Sequence, residues 1–225
     1  MGKLFNMDSP VMRFLSKMAD LMILNLLVTL CCLPIITAGA ALTAMHYVAL
    51  KMARGEEGYI ARDFFKSFKM NFRQATIIWL IMLLFALVFI GDYYIVVFSG
   101  LSFPRGLHVV LMAAAILLYV VSTYIFPVLA RFENKIINTI KNGCIMSIMA
   151  IPKAILMAVF GLLPLIVFLL TPTLIPLILL FGFSIPGYLS AMLYSGTFRK
   201  FEPEPEQEVA DEEFHVVFEE RENEK

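Results

Sequence analysis

Few side chains in this 225-residue chain could do chemistry, and the clearest of them sit inside long apolar runs. Asp92 stands in Gly91-Asp92-Tyr93-Tyr94, some 18 residues into a run that begins at Gln74. An ionisable group at such a depth costs about 2.5–3.5 kcal/mol to insert and marks a proton- or cation-linked site. The competing reading holds Asp92 at the headgroup level, where its flanking tyrosines favour the interface. Asn25 and His46 are the other candidate polar positions. They lie on either side of Pro34 and Gly39, so they could meet across a helical hairpin. Such a pair would be a functional site, or polar glue between helices contributing about 0.6–2 kcal/mol.

A catalytic reading finds no support. No nucleophile elbow, paired carboxylates, zinc signature or Walker loop occurs, so the expectation is a non-enzyme without catalytic residues, cofactor or metal. Cys31, Cys32 and Cys144 are odd in number and apolar in setting, which implies neither a disulfide framework nor a thiolate metal site.

A second group of residues points to surfaces rather than reactions. Phe64, Phe68 and Phe72 recur every four residues, and Phe65 and Phe72 are seven apart. Arg62, Lys66, Lys69 and Arg73 recur at spacings of four, three and four, with Asn71 among them. At a helical period this predicts an amphipathic interfacial helix over 59–73, with rings among acyl chains and cations toward anionic headgroups. The sharper alternative is a coupling helix that docks on a partner.

The elements that must position these residues follow from composition. Hydrophobic residues make up 60% and charged residues 16%, with a mean hydropathy of +0.82. A soluble domain cannot bury so much apolar surface, and a nucleic-acid binder is excluded on the same ground. The expected class is all-α, a polytopic transmembrane helical bundle of five to six segments. Those segments fall at about 18–34, 36–52, 75–98, 107–129, 154–171 and 173–194. Residues 18–52 are read as a hairpin broken between Pro34 and Gly39, against the competing model of one long tilted helix. Thr171-Pro172-Thr173 supplies the turn between the last two segments, and Pro164, Pro176 and Pro186 fall within them.

The formal charge of zero hides an asymmetry. Residues 1–200 hold 16 Lys+Arg against 7 Asp+Glu (+9), and residues 201–225 hold 2 against 11 (−9). Cations concentrate in 51–73 and 131–153, while the 171–173 turn has none. Placing the cationic connectors inside the cell puts both termini in the cytoplasm. The 201–225 segment reads as an acidic, disordered tail, with Phe214-His215-Val216-Val217-Phe218 as a possible docking peptide.

Cys31-Cys32-Leu33-Pro34-Ile35-Ile36-Thr37, then Gly39, Lys51 and Arg54-Gly55-Glu56-Glu57, form the first part of a recognisable pattern. Arg62-Asp63-Phe64-Phe65 and Asn71-Phe72-Arg73-Gln74-Ala75 complete it. With the opening Phe5-Asn6, the chain resembles the YesL family of uncharacterised bacterial integral membrane proteins. It carries Gly39-Ala40 where members often have Gly-Pro, and the acidic tail is outside the shared pattern. The resemblance implies a bacterial cell membrane and an association with carbohydrate uptake and breakdown. It implies no catalytic residue. The expected function is therefore an accessory or regulatory component of carbohydrate utilisation, with the lipid bilayer and sugar-transporter subunits as partners. The alternatives are a small permease with a polar site near Asp92 and, less favoured, a membrane-embedded enzyme.

Overall fold

Proline sets most of the helix boundaries. The structure, a computed structural model, describes residues 10–56, 58–98 and 105–202. From the first described residue, helix α1 runs Pro10–Cys32. Pro34 then imposes a break, a single 3₁₀ turn at Ile35–Thr37, before α2 (Ala38–Arg54). Thr37 closes that turn by donating its hydroxyl to the Cys31 carbonyl at 2.5 Å and the Pro34 carbonyl at 2.9 Å. Two helices that pack on each other thus replace one long tilted helix, and the hairpin is observed. Gly55 ends α2 in the left-handed region (φ 72°), its N–H returning to the Lys51 and Met52 carbonyls.

The 59–73 stretch is helical as its periodicity predicts, but it is not a separate element. It forms the first turns of α3 (Ile60–Phe98), a continuous helix of 39 residues. At 1.5 Å per residue α3 is about 58 Å long, nearly twice a bilayer core of about 30 Å. Nothing between Arg73 and Gln74 breaks a helix, so the amphipathic stretch and the apolar run propagate as one.

Pro127 has no N–H for the Thr123 carbonyl, and the fourth span accordingly breaks at Thr123–Tyr124 into α4 (Arg105–Ser122) and α5 (Ile125–Arg131). Next comes α6 (Ile136–Met149), in a segment expected only as a basic connector. Helix α7 (Ile151–Leu170) contains Pro164 and stops at the expected Thr171-Pro172-Thr173 turn. Helices α8 (Ile175–Phe181) and α9 (Ser184–Phe198) are bent by 54° about Gly182–Phe183. Five helices are long and apolar enough to cross a membrane, or six with the bent pair, and no strand occurs among the described residues. The chain is a membrane protein built as a helical bundle.

Helix α2 is the centre of that bundle. It packs against α1, α3, α5 and α9, and 56% of its apolar window is buried, against 11–22% in the other spans. Its surface is small: Ala38, Gly39, Ala40, Ala41, Thr43 and Ala44 are all buried. In lipid, apolar side chains gain little by leaving acyl chains, so helices associate where small residues let backbones approach. Lys51 meets Asp63 at 2.7 Å at one end of the α2–α3 contact. Gly39 meets Ala75 and Trp79 at the other, so closely that a Cβ there would lie 2.5 Å from the Trp79 Cβ. Those two points make the helices antiparallel and set the exposed Lys66 and Lys69 level with the middle of α2 and Arg73 level with its first turns.

Candidate functional site

A cavity of about 430 Å³ opens where the broken helices converge. Its walls include Met45 and His46 of α2, Trp79 of α3, Tyr119 of α4 and Pro164 of α7, with Gly182, Phe183, Pro186 and Gly187 from the α8–α9 break. The lining is mostly apolar and holds no Asp, Glu, Lys or Arg. Its hydroxyls are largely engaged: Tyr119 donates to the Ala158 carbonyl at 3.0 Å, Ser122 to Tyr119 O at 2.6 Å and Thr123 to Val120 O at 2.7 Å.

Asn25 holds the break beside this cavity. Pro186 has no N–H for the Gly182 carbonyl, so the helical ladder fails there. The fully buried Asn25 amide is inserted into the gap. Its Nδ2 donates to Leu179 O at 2.7 Å and Ile178 O at 3.2 Å. Its Oδ1 accepts from the Phe183 N–H at 2.7 Å and the Ser184 N–H at 3.0 Å. Leu179 O and Phe183 N–H would bond to each other in an unbroken helix; here one side chain stands between them. Both donors and both acceptor positions of the amide are used. Gly182 suits the same bend, since a Cβ on it would lie 2.5 Å from the Ile178 carbonyl oxygen.

Asn25 and His46 therefore do not form the pair expected across the hairpin. The His46 Nδ1 lies 3.4 Å from the Tyr194 hydroxyl, which also donates to the His46 carbonyl at 3.2 Å. Tyr194 is fully buried and packs on Phe198 in a tilted ring contact at 4.8 Å. His46 faces the cavity and Asn25 sits behind it, because α1 docks on α8 while α2 docks on α9. Asp92 lies six residues from the end of α3 and is not among the cavity residues.

The aromatic and basic stripes of α3 divide between two faces. Phe64 is fully buried, Ser67 nearly so, and Phe68 stacks on Phe64 at 6.1 Å. As a lipid or partner contact Phe64 is corrected: it is a core residue, packed with Leu21, Leu24 and Val48. Asn71 turns back on its own helix, donating to Ser67 O at 3.1 Å. Phe65 and Phe72 are exposed, with Arg62, Lys66, Lys69 and Arg73 beside them.

A third polar cluster had no counterpart in the sequence reading. Arg54, its side chain 8% exposed, makes two bonds to the Glu202 carboxylate, at 2.8 and 3.0 Å. Arg131 adds a third at 2.8 Å. Burial by itself would push the Glu202 carboxyl up, but the hydrogen bonds and charges of Arg54 and Arg131 outweigh it and hold the group below the usual carboxylate range. One carboxylate so ties the ends of α2 and α5 to the chain that follows α9. The pairing spans 148 residues, which no spacing rule could reveal. Of the acidic tail, only Phe201 and Glu202 are among the described residues; the Phe214–Phe218 segment lies outside them.

Residues 18–93 match a family model described as "Protein of unknown function, DUF624". The match runs from Met18 in α1 through all of α2 to Tyr93 in α3, and so covers the hairpin, Asn25, His46 and the α3 stripes. Neither a curated protein nor a solved structure matches the chain.

Proposed function

We propose that this chain is an accessory or regulatory membrane component that works by contact rather than by chemistry, acting beside a carbohydrate-uptake system. The observation that carries the reading is the division of α3. One face is locked into the core through Phe64 and Ser67; Phe65 and Phe72 flank it, exposed, with their rings against Phe64 and Phe68, and four cations line the opposite face. A rigid helix with exposed rings beside charges is well made for docking. The cavity argues in the same direction. A sugar brings many hydroxyls that need partners, whereas this lining is apolar and its Tyr119, Ser122 and Thr123 hydroxyls already donate to carbonyls. The link to carbohydrate uptake rests on the YesL resemblance. The bacterial cell membrane and the cytoplasmic placement of both termini rest on that resemblance and on the cationic connectors.

Full-length tagged chain purified from its native membrane under mild detergent tests this. The expected result is near-stoichiometric recovery of transporter subunits, reduced at least fivefold by Phe65→Ala with Phe72→Ala. Recovery of the chain alone, or recovery unchanged in that variant, overturns it.

The discontinuity at Gly182–Phe183, opening on a cavity, favours a second reading as a small permease, since broken helices build midplane sites in transporters. Such a permease would use His46 and not Asp92, which stands apart from the cavity. Solute uptake by the purified chain alone in liposomes would establish it.

A further inference from the structure

Arg73, Gln74 and Ile77 of α3 face Lys135, Ile136 and Ile137 at the start of α6 across a shallow groove of about 400 Å³. The two cations come from elements that are 62 residues apart in sequence and converge on one groove without a carboxylate among its walls. Among the described residues neither takes part in an ion pair; the nearest acid in sequence, Glu133, is exposed and makes none. Neither cation has an anionic partner in the groove, and a cation at the edge of a lipid-facing groove is satisfied by an anionic headgroup. The groove also has an apolar floor, and that floor continues outward. Ile137, Ile145 and Ile148 form an exposed stripe along α6 with Lys141 among them, and Ile77, Leu80 and Ile81 are exposed on α3. A free phosphate would satisfy the cations and leave the isoleucines uncovered. A molecule with an anionic head and acyl chains satisfies both.

We infer that the α3–α6 groove is a binding site for one anionic phospholipid, its phosphate held by Arg73 and Lys135 and its chains laid along Ile77 and Ile137. Basic pockets between membrane helices on the cation-rich side take headgroups in this way. This inference does not rest on the partner reading above: the two share Arg73, but the partner test alters Phe65 and Phe72 alone, and the lipid test alters Arg73 with Lys135.

Full-length chain is released into mild detergent from vesicles of equal phosphatidylglycerol and phosphatidylcholine content, and the lipid each chain retains is measured by native mass spectrometry. Each cation at the site favours an anionic lipid by about fivefold, so wild type should prefer phosphatidylglycerol by about twenty-five-fold. Arg73→Gln with Lys135→Gln should bring that ratio close to one, while Arg62→Gln with Lys66→Gln should leave it. The charge-keeping pair Arg73→Lys with Lys135→Arg should also leave it, which separates a lost site from a lost fold. Equal retention of both lipids by wild type, or an equal loss in both glutamine pairs, overturns the site. So does reversal of the preference by excess inorganic phosphate, which would make it a free-anion site. A preference seen only after residues 203–225 are deleted would mean that the acidic tail, and not a lipid, fills the groove.

Discussion

The cation-bearing half of this bundle and its opposite half are built on different terms. In the first, α1, α2, α5, α6 and α9 pack with the opening turns of α3 and α7, and every buried residue of the three core clusters is found there. In the second, none of the residues assigned a burial in Trp79–Ile95, 106–122 or Val159–Phe181 is buried. That half is almost uniformly apolar: Leu84, Leu87, Val88, Leu117, Leu169 and Leu170 are each more than half exposed. Apolarity therefore does not create the core. Lipid is as good a solvent for leucine as another leucine is, so the leucine-rich half has little reason to close on itself. The other half closes because small residues allow contact and because polar groups must find partners within the protein. The DUF624 match begins in the closing half, at Met18, and carries on along α3 into the apolar half as far as Tyr93.

Four changes put this contrast at risk, from the greatest expected loss to the least. Asn25→Leu should be worst. It removes four hydrogen bonds and strands backbone groups at the α8–α9 bend. At about 1–3 kcal/mol for each unsatisfied buried group, a loss of at least 3 kcal/mol is expected, read as detergent unfolding midpoint and folded yield. A near-wild-type midpoint would mean that the bend needs no side-chain support. Gly39→Leu comes next, because its Cβ would collide with Trp79 and with the Ala75 carbonyl oxygen, 2.6 Å away. Overpacking of this kind costs about 1–3 kcal/mol. A cysteine cross-link across α2 and α3 should then form more slowly.

Glu202→Gln should cost about 1–2 kcal/mol, from the loss of charge-assisted bonds to Arg54 and Arg131. Its pH dependence has a fixed sign. The Glu202 carboxyl is lowered in the folded protein, so the stability it adds is complete above the ordinary value of 4.5 and is lost as pH falls through the lowered folded value. Wild type should lose stability on acidification below about pH 4.5 more steeply than the glutamine variant; parallel pH curves for the two would refute the clamp. Leu87→Ala, in the open half, should change stability by under about 0.5 kcal/mol, because the leucine is 57% exposed and touches lipid. A loss above 2 kcal/mol there would show that the apolar half is closed after all, by a second copy or a partner.

The sequence leaves Asn25 open as a functional site or as polar glue facing His46, and the structure gives it another partner, the bend between α8 and α9. The reason is specific. Its acceptors on α8 lie 153 and 154 residues away, and their availability depends on Pro186 releasing the ladder at Gly182. The proline was visible; the helix that would dock beside it was not. The α3 stripes show a similar limit. Phe64, Phe65, Phe68 and Phe72 give rings on two sides of one helix, and periodicity does not say which side faces protein. The Lys51–Asp63 pair and the close approach at Gly39 decide that. Helix α6 was passed over because Lys135, Lys141 and Lys153 marked its segment as a connector, although Ile137, Lys141, Ile145 and Ile148 already follow a helical spacing.

What the amino-acid order fixed alone was the local: how many apolar lengths exist, where Pro34 and Thr171-Pro172-Thr173 interrupt them, and which connectors carry cations. These follow from chain length, missing N–H groups and the cost of charge in hydrocarbon, each set by neighbours in sequence. What awaited the folded chain was every long-range pairing: Asn25 with the bend at Gly182–Phe183, Glu202 with Arg54 and Arg131, and Tyr194 with His46. A polar group in lipid takes whichever partner the packing of small residues brings within about 3 Å, and that choice is made between helices, in three dimensions.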